Sequence, residues 1–227
     1  MSGCWEMQHD VLVGTLHTDV TTVAWACGFR NLIIPGRGAF LPVAGMPFDH
    51  ARNSLNQAAL DGGFSHVLHL DSDCIPPRDG ILKLLRHNLP IVSGMYCRRS
   101  PPHSVPVMIK NGTWVTNFTP GSLVEVDMVG AGFLLLSRWF LENFPPQAPE
   151  LGKHWFWWRV DQRDIKDPTT GKPKYDNCLS EDFTMNVMAK TKLGVPSFVD
   201  TSVIVKHVGY AQSTFGSFVP METTPNT

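Results

Sequence analysis

No apolar run in this 227-residue chain reaches the about 18 residues of a membrane-spanning helix, and its first residues carry no signal-peptide pattern. No span and no secretion are therefore expected. Charge of one sign is also missing: 19 Lys and Arg stand against 20 Asp and Glu, for a formal net charge of −1. That balance gives no general attraction to nucleic acid or an anionic membrane, and Arg98-Arg99 is the compact basic candidate. The cysteines Cys4, Cys27, Cys74, Cys97 and Cys178 are odd in number, scattered and without a C-x-x-C pair. They read as reduced thiols of a cytoplasmic protein, not as a disulfide frame or a zinc site. No internal repeat is visible.

What is present is the composition of a folded domain, 43% hydrophobic and 17% charged, with one domain expected over residues 1–227. Val11-Leu12-Val13-Gly14 reads as a short strand. A helix is expected from Val20 to Phe29, capped by Thr18 or Asp19. A Gly/Pro-rich stretch from Gly36 to Pro47 holds at most one short strand, and Phe48 to Leu60 is helical with Ala51, Leu55, Ala58 and Ala59 inward. The strand at His66 to Asp71, a helix from Arg78 to His87 and a strand from Ile91 to Tyr96 follow. This alternation predicts parallel strands with helical crossovers, buried on both faces. Asn111-Gly112 marks a hairpin. Leu123 to Leu136 is apolar with a Gly130-Ala131-Gly132 interruption, and a helix opens at Glu181. Residues 1–100 form the expected nucleotide-binding half and 101–227 the acceptor-binding half. Residues 147–179 are expected to be a mobile loop carrying Trp155-Phe156-Trp157-Trp158.

Chemistry concentrates at His69-Leu70-Asp71-Ser72-Asp73. Strand side chains alternate faces, so Asp71 and Asp73 are expected to point the same way. Two crowded, desolvated carboxylates need compensation, and a divalent cation such as Mg²⁺ or Mn²⁺ supplies it. The bland reading is an Asp-rich turn after a strand. His207, after the apolar Val203-Ile204-Val205, offers an imidazole as a third metal ligand, though a lone strand-end histidine more often only makes a hydrogen bond. Glu181-Asp182 fits the first turn of a helix, where acids gain about 0.3–1 kcal/mol from the dipole. The same position also suits a general base. Arg52 presents a planar fork suited to a phosphate or a base carbonyl, or simply to solvent. The glycines 130 and 132 allow a bulge, or a close backbone approach to a sugar. Four consecutive aromatics cannot all face inward, so part of the tryptophan cluster is expected at the surface.

In order along the chain, Val11 to Thr15, Ala51-Arg52-Asn53, His69 to Asp73, Gly130 to Leu135, Ser180 to Phe183, and Val199-Asp200 with His207-Val208-Gly209 resemble the GT-A glycosyltransferases. Within them the likeness is to the family-2-like group of small bacterial and phage enzymes. The resemblance implies a three-layer α/β/α sandwich with a mainly parallel central sheet. It also implies a nucleotide-sugar donor, usually UDP-linked, held with Mn²⁺ or Mg²⁺. Asp73 and His207 would ligate the metal, and Asp71 would contact it or the ribose. Thr15, with His17 or Asp19, and Arg52 would hold the nucleoside, and Gly130 and Gly132 would lie against the donor. Asp182, beside Glu181, would be the base of an inverting displacement. No Gln-x-x-Arg-Trp signature follows Glu181-Asp182, which argues against a processive synthase.

The acceptor stays open between a glycan, a protein, a small molecule and, as in some viral members, hydroxymethylated DNA bases. Two other classes compete. A phosphatase with an Asp nucleophile usually has Thr or Val where this chain has Ile75, and its motif sits on the first strand. A non-catalytic module binding a nucleotide or sugar would need no base at residue 182.

Overall fold

A computed structural model describes residues 8–17, 20–99, 105–146, 154–160 and 178–208. Strand β1 (Val11–His17) alternates its side chains between two cores, Leu12 on one side and Val11 and Val13 on the other. Helix α1 (Val23–Asn31) begins at Thr22, whose hydroxyl accepts the Trp25 amide at 3.1 Å. The cap thus lies later than the expected Thr18 or Asp19, which are outside the described residues. Strand β2 (Ala39–Ala44) is the short strand of the Gly/Pro-rich stretch. Helix α2 (Phe48–Asp61) buries Ala51, Leu55 and Ala59 as its spacing requires, and Arg52 and Asn56 with them.

Strand β3 (His66–Asp71) ends in a tight turn at Ser72-Asp73 that leads into β4 (Cys74–Ile75). Helix α3 (Gly80–Arg86) and β5 (Ile91–Met95) complete the alternation. Strands β6 (Met108–Lys110) and β7 (Thr113–Trp114) form the expected hairpin, with Asn111 at φ 51° and Gly112 at φ 74°. The apolar stretch that follows divides into β8 (Leu123–Val126), β9 (Met128–Val129) and β10 (Phe133–Ser137). Helix α4 (Arg138–Asn143), the pair β11 (Arg159–Val160) and β12 (Cys178–Leu179), and α5 (Glu181–Leu193) come next. Strands β13 (Ser197–Ile204) and β14 (Lys206–His207) close the described chain.

The main sheet has seven strands in the order β2-β1-β3-β10-β5-β13-β8. It is mixed, which corrects the expectation of a mainly parallel sheet. The pairs β1–β2, β1–β3 and β5–β13 are parallel, while β3–β10, β5–β10 and β8–β13 are antiparallel. The cause is the connection after β5. Its described residues hold no helix, only the short strands β6 to β9, and β10 then runs back between β3 and β5, antiparallel to both. One core packs α1 and α3 residues such as Trp25, Ile81 and Leu84 against one face. The other packs Ala59 of α2, Phe140 of α4 and Met185 of α5 against the opposite face. The layers are helix, sheet, helix. No helix among the described residues is long and apolar enough to cross a membrane.

From β1 the chain moves outward through α1 to β2, then returns through α2 past β1 to β3. The strand order therefore reverses between β1 and β3. In open α/β sheets a crevice opens beyond the carboxyl ends of the strands at such a reversal.

Candidate functional site

A crevice of about 720 Å³ lies there, lined by His17, Thr21, Phe48, Asp71, Ser72, Asp73 and Arg99 among others. Through His17, Thr21 and Ser72 it meets a recess of about 120 Å³ walled by Thr15, Trp25 and Phe40. Two contacts hold the floor: Trp25 Nε1 donates to the Asp71 carbonyl at 3.0 Å, and the Thr21 hydroxyl to the Ser72 carbonyl at 3.1 Å. Thr15 lines the recess, is 2% exposed, and its hydroxyl has no hydrogen-bond partner among the described residues. A buried hydroxyl left unmatched costs about 1–3 kcal/mol, which a ligand's polar group can recover. Asp19 lies outside the described residues.

Asp71 and Asp73 both line this crevice, but Asp73 lies past the strand, so alternation along β3 does not set its direction. β3 stops at Asp71, and the turn sends the two carboxylates to different partners. Asp73 Oδ2 lies 3.3 Å from His207 Nε2 and 3.0 Å from an Arg99 nitrogen. His207 reaches it because β14 pairs antiparallel with β4, with His207 opposite Cys74. Its Nδ1 donates to the Cys97 carbonyl at 2.8 Å, which leaves Nε2 to face Asp73. Burial pulls the His207 pKa down, but the hydrogen bonds to Asp73 and the Cys97 carbonyl, with the charges of Asp73 and Asp71, outweigh it and raise it. For Asp73, burial pushes up, and the His207 and Arg99 contacts bring the net effect below the usual carboxylate range. A carboxylate oxygen and an oriented imidazole nitrogen at this separation are a donor pair that fits a divalent cation.

Asp71 is turned inward to Arg52. The guanidinium lies 3.0 Å from Asp71 Oδ1, 3.2 Å from Glu181 Oε1 and 3.4 Å from the Ala131 carbonyl. Arg52 is 3% exposed, so its fork is spent inside the protein and does not face the crevice to hold a nucleoside. Glu181 is buried as well. Burial, then the neighbouring Asp182 charge, pushes its carboxyl up, and Arg52 restrains the rise.

Asp182 is half-buried at the start of α5. Its Oδ2 accepts the Ala131 amide at 3.2 Å, while Oδ1 accepts the Phe183 amide at 2.8 Å and the Ser180 hydroxyl. The Gly130-Ala131-Gly132 segment thus orients the acid. The close approach its glycines permit is to Tyr96, where the sequence suggested a sugar: a Cβ on Gly130 would stand 2.1 Å from the Tyr96 hydroxyl. That hydroxyl accepts the Gly132 amide at 3.0 Å.

The crystal structure of A197 from STIV matches with a TM-score of 0.58 at 14% identity, over 88% of this chain and 85% of that one. The likeness is one of fold. No family model and no curated protein matches the sequence.

Several residues around the site gave little sign in the sequence. Cys74 looked like one scattered thiol, yet its sulfur lies with the Asp73 and His207 ligand atoms, all within 4.8 Å of one another. The strand pairing that gathers them spans over a hundred residues. Asn53 clamps the aromatic segment: its side chain donates to the Phe156 carbonyl at 2.7 Å and accepts the Trp155 and Phe156 amides at 3.0 Å each. Trp155 and Phe156 are therefore core, and the expected surface aromatic is Trp158, half-exposed. Most of the expected loop 147–179 lies outside the described residues.

Proposed function

We propose that this protein is a metal-dependent glycosyltransferase of the GT-A type, moving a sugar from a nucleoside-diphosphate donor, UDP-linked in the first instance, to an acceptor hydroxyl. The observation that carries the reading is the Asp73–His207 pair: Asp73 lines a crevice beyond the carboxyl ends of β1 and β3, and His207 lines the adjoining recess that shares Asp71 and Arg99 with it. Both groups come from distant parts of the chain and meet beside the reversal of strand order at β1 and β3, a place that suits a nucleotide.

Asp73 and His207 would hold Mn²⁺ or Mg²⁺, which when bound supplies positive charge where the departing diphosphate becomes more negative. The remaining work falls to the chain. The Thr15 hydroxyl and His17 face the space for the nucleoside. Arg99, at the crevice wall, adds a cation toward the phosphates. Asp71 is kept in place by Arg52 and the Trp25 indole. Asp182 has its carboxylate plane fixed by Ala131, Phe183 and Ser180; Oδ1 already accepts two hydrogen bonds, and Oδ2, which accepts one, keeps a lone pair for an acceptor hydroxyl. Removal of that proton by an oriented base contributes about 10²–10⁴-fold.

The test is thermal unfolding with UDP in the presence and absence of Mn²⁺, followed by transfer assays with Asp182→Asn. A ligand at 100 times its Kd adds about 2.7 kcal/mol of stability. The expected result is a metal-dependent shift in both proteins, with transfer lost in the variant. No shift with any nucleoside diphosphate and either metal removes the reading. A shift without transfer in the wild type favours a binding module.

A further inference from the structure

We propose that Cys74, in place of Asp71, completes the metal set with Asp73 and His207, and that this makes the site selective for a borderline cation such as Zn²⁺ or Co²⁺ over Mg²⁺. The inference rests on the metal-binding part of the function proposed above. Four observations carry it. The ligand atoms of Asp73, Cys74 and His207 lie within 4.8 Å of one another. Metal bonds of about 2.0–2.3 Å place tetrahedral ligands about 3.5 Å apart, so small side-chain adjustments close the set. Cys74 and His207 are direct partners in the antiparallel pair β4–β14, which puts both side chains on one face.

Asp71 is not in that group, because its carboxylate is taken by Arg52 at 3.0 and 3.3 Å. Finally, the imidazole is held as a metal-ligating histidine usually is. Nδ1–H is fixed to the Cys97 carbonyl, and the Tyr96 ring stands edge-on at 5.5 Å. The alternative is that the wholly buried Cys74 is only a small apolar filler in the core around Val203 and Phe133. Donor chemistry separates the two. A thiolate, an imidazole and one carboxylate match zinc and cobalt, whereas magnesium takes oxygen. On binding, the Cys74 proton passes to solvent and sulfur bonds the metal. Three protein ligands leave a position for a diphosphate oxygen.

The experiment titrates the full chain with CoCl₂ and records the near-ultraviolet and visible absorption. The expected result is one thiolate-to-cobalt charge-transfer band per chain. That band is lost in Cys74→Ser and in Cys74→Ala, and is displaced by one equivalent of ZnCl₂ but not by excess MgCl₂. Zinc affinity in either variant should fall by more than the roughly 10–100-fold that loss of an outer partner costs. Cobalt bound without a thiolate band, or a band that survives both substitutions, overturns the role of Cys74 while leaving the Asp73–His207 pair as a site. Absence of any cobalt or zinc binding by the wild type overturns both the inference and the metal dependence proposed above.

Discussion

The Arg52 guanidinium lies 3.0 Å from the Asp71 carboxylate and, through its other edge, 3.2 Å from Glu181. One buried cation therefore ties the end of β3 to the start of α5, the two places where the acids of the candidate site are found. Burial opposes the charge on Arg52, but the surrounding Asp71, Glu181 and Asp182 carboxylates outweigh it and keep the guanidinium charged. The face of the Phe156 ring lies 5.8 Å below it.

Replacing Arg52 by Met removes the cation and leaves Glu181 and Asp71 without their partner. Breaking a buried pair in this way costs about 3–5 kcal/mol. Arg52→Lys keeps the charge but cannot bridge two carboxylates with one planar fork, so it should recover only part of the loss. Urea denaturation of the three proteins checks the order. A Met variant as stable as the wild type would mean the bridge contributes nothing to the fold.

Acid should weaken the fold through His66. It is 7% exposed on β3, and burial, with the charge of His9, lowers its pKa to about 4. The unfolded chain takes up this proton near pH 6.5, the native chain near 4. Stability is therefore complete above about pH 6.5 and falls as the pH drops toward 4, by about 3 kcal/mol for a shift of this size. His66→Gln cannot titrate and should lose that share of the slope. Chemical denaturation of both proteins at pH 7.5 and 4.5 measures it, and equal slopes would refute the assignment.

How far the sequence could be read depends on the range of the interaction. Alternating β1 and β3, the inward face of α2 and the Asn111-Gly112 hairpin are set by neighbours a few residues apart, and they stand where the periodicity puts them. The direction of β10 is a property of the whole connection after β5, whose described residues hold no helix, and no local pattern carries it. At the site, the D-x-D spacing drew attention to the turn after β3, but alternation ends with the strand at Asp71 and does not set where Asp73 points. Arg52 drew attention for its ligand-binding chemistry. Its actual partners, 19 and 129 residues away, are visible only once the sheet brings β3 and α5 together.

Arg99 is expected to act as a competitor for the site it borders. Its nitrogen lies 3.0 Å from Asp73 Oδ2, the oxygen that also faces His207, and its side chain is 65% exposed. A divalent cation that takes this oxygen must displace the guanidinium. An exposed ion pair is worth about 0.2–1 kcal/mol, so Arg99→Ala should tighten metal binding by up to about fivefold at low salt. The gain should shrink as salt screens the pair. With a nucleoside diphosphate present the sign should reverse, because the freed arginine then pairs with phosphate. Calorimetric titration of Mn²⁺ and Co²⁺ into both proteins, with and without UDP, measures the two effects. Weaker metal binding by Arg99→Ala in the absence of nucleotide would show that Asp73 and Arg99 do not compete for a common ion.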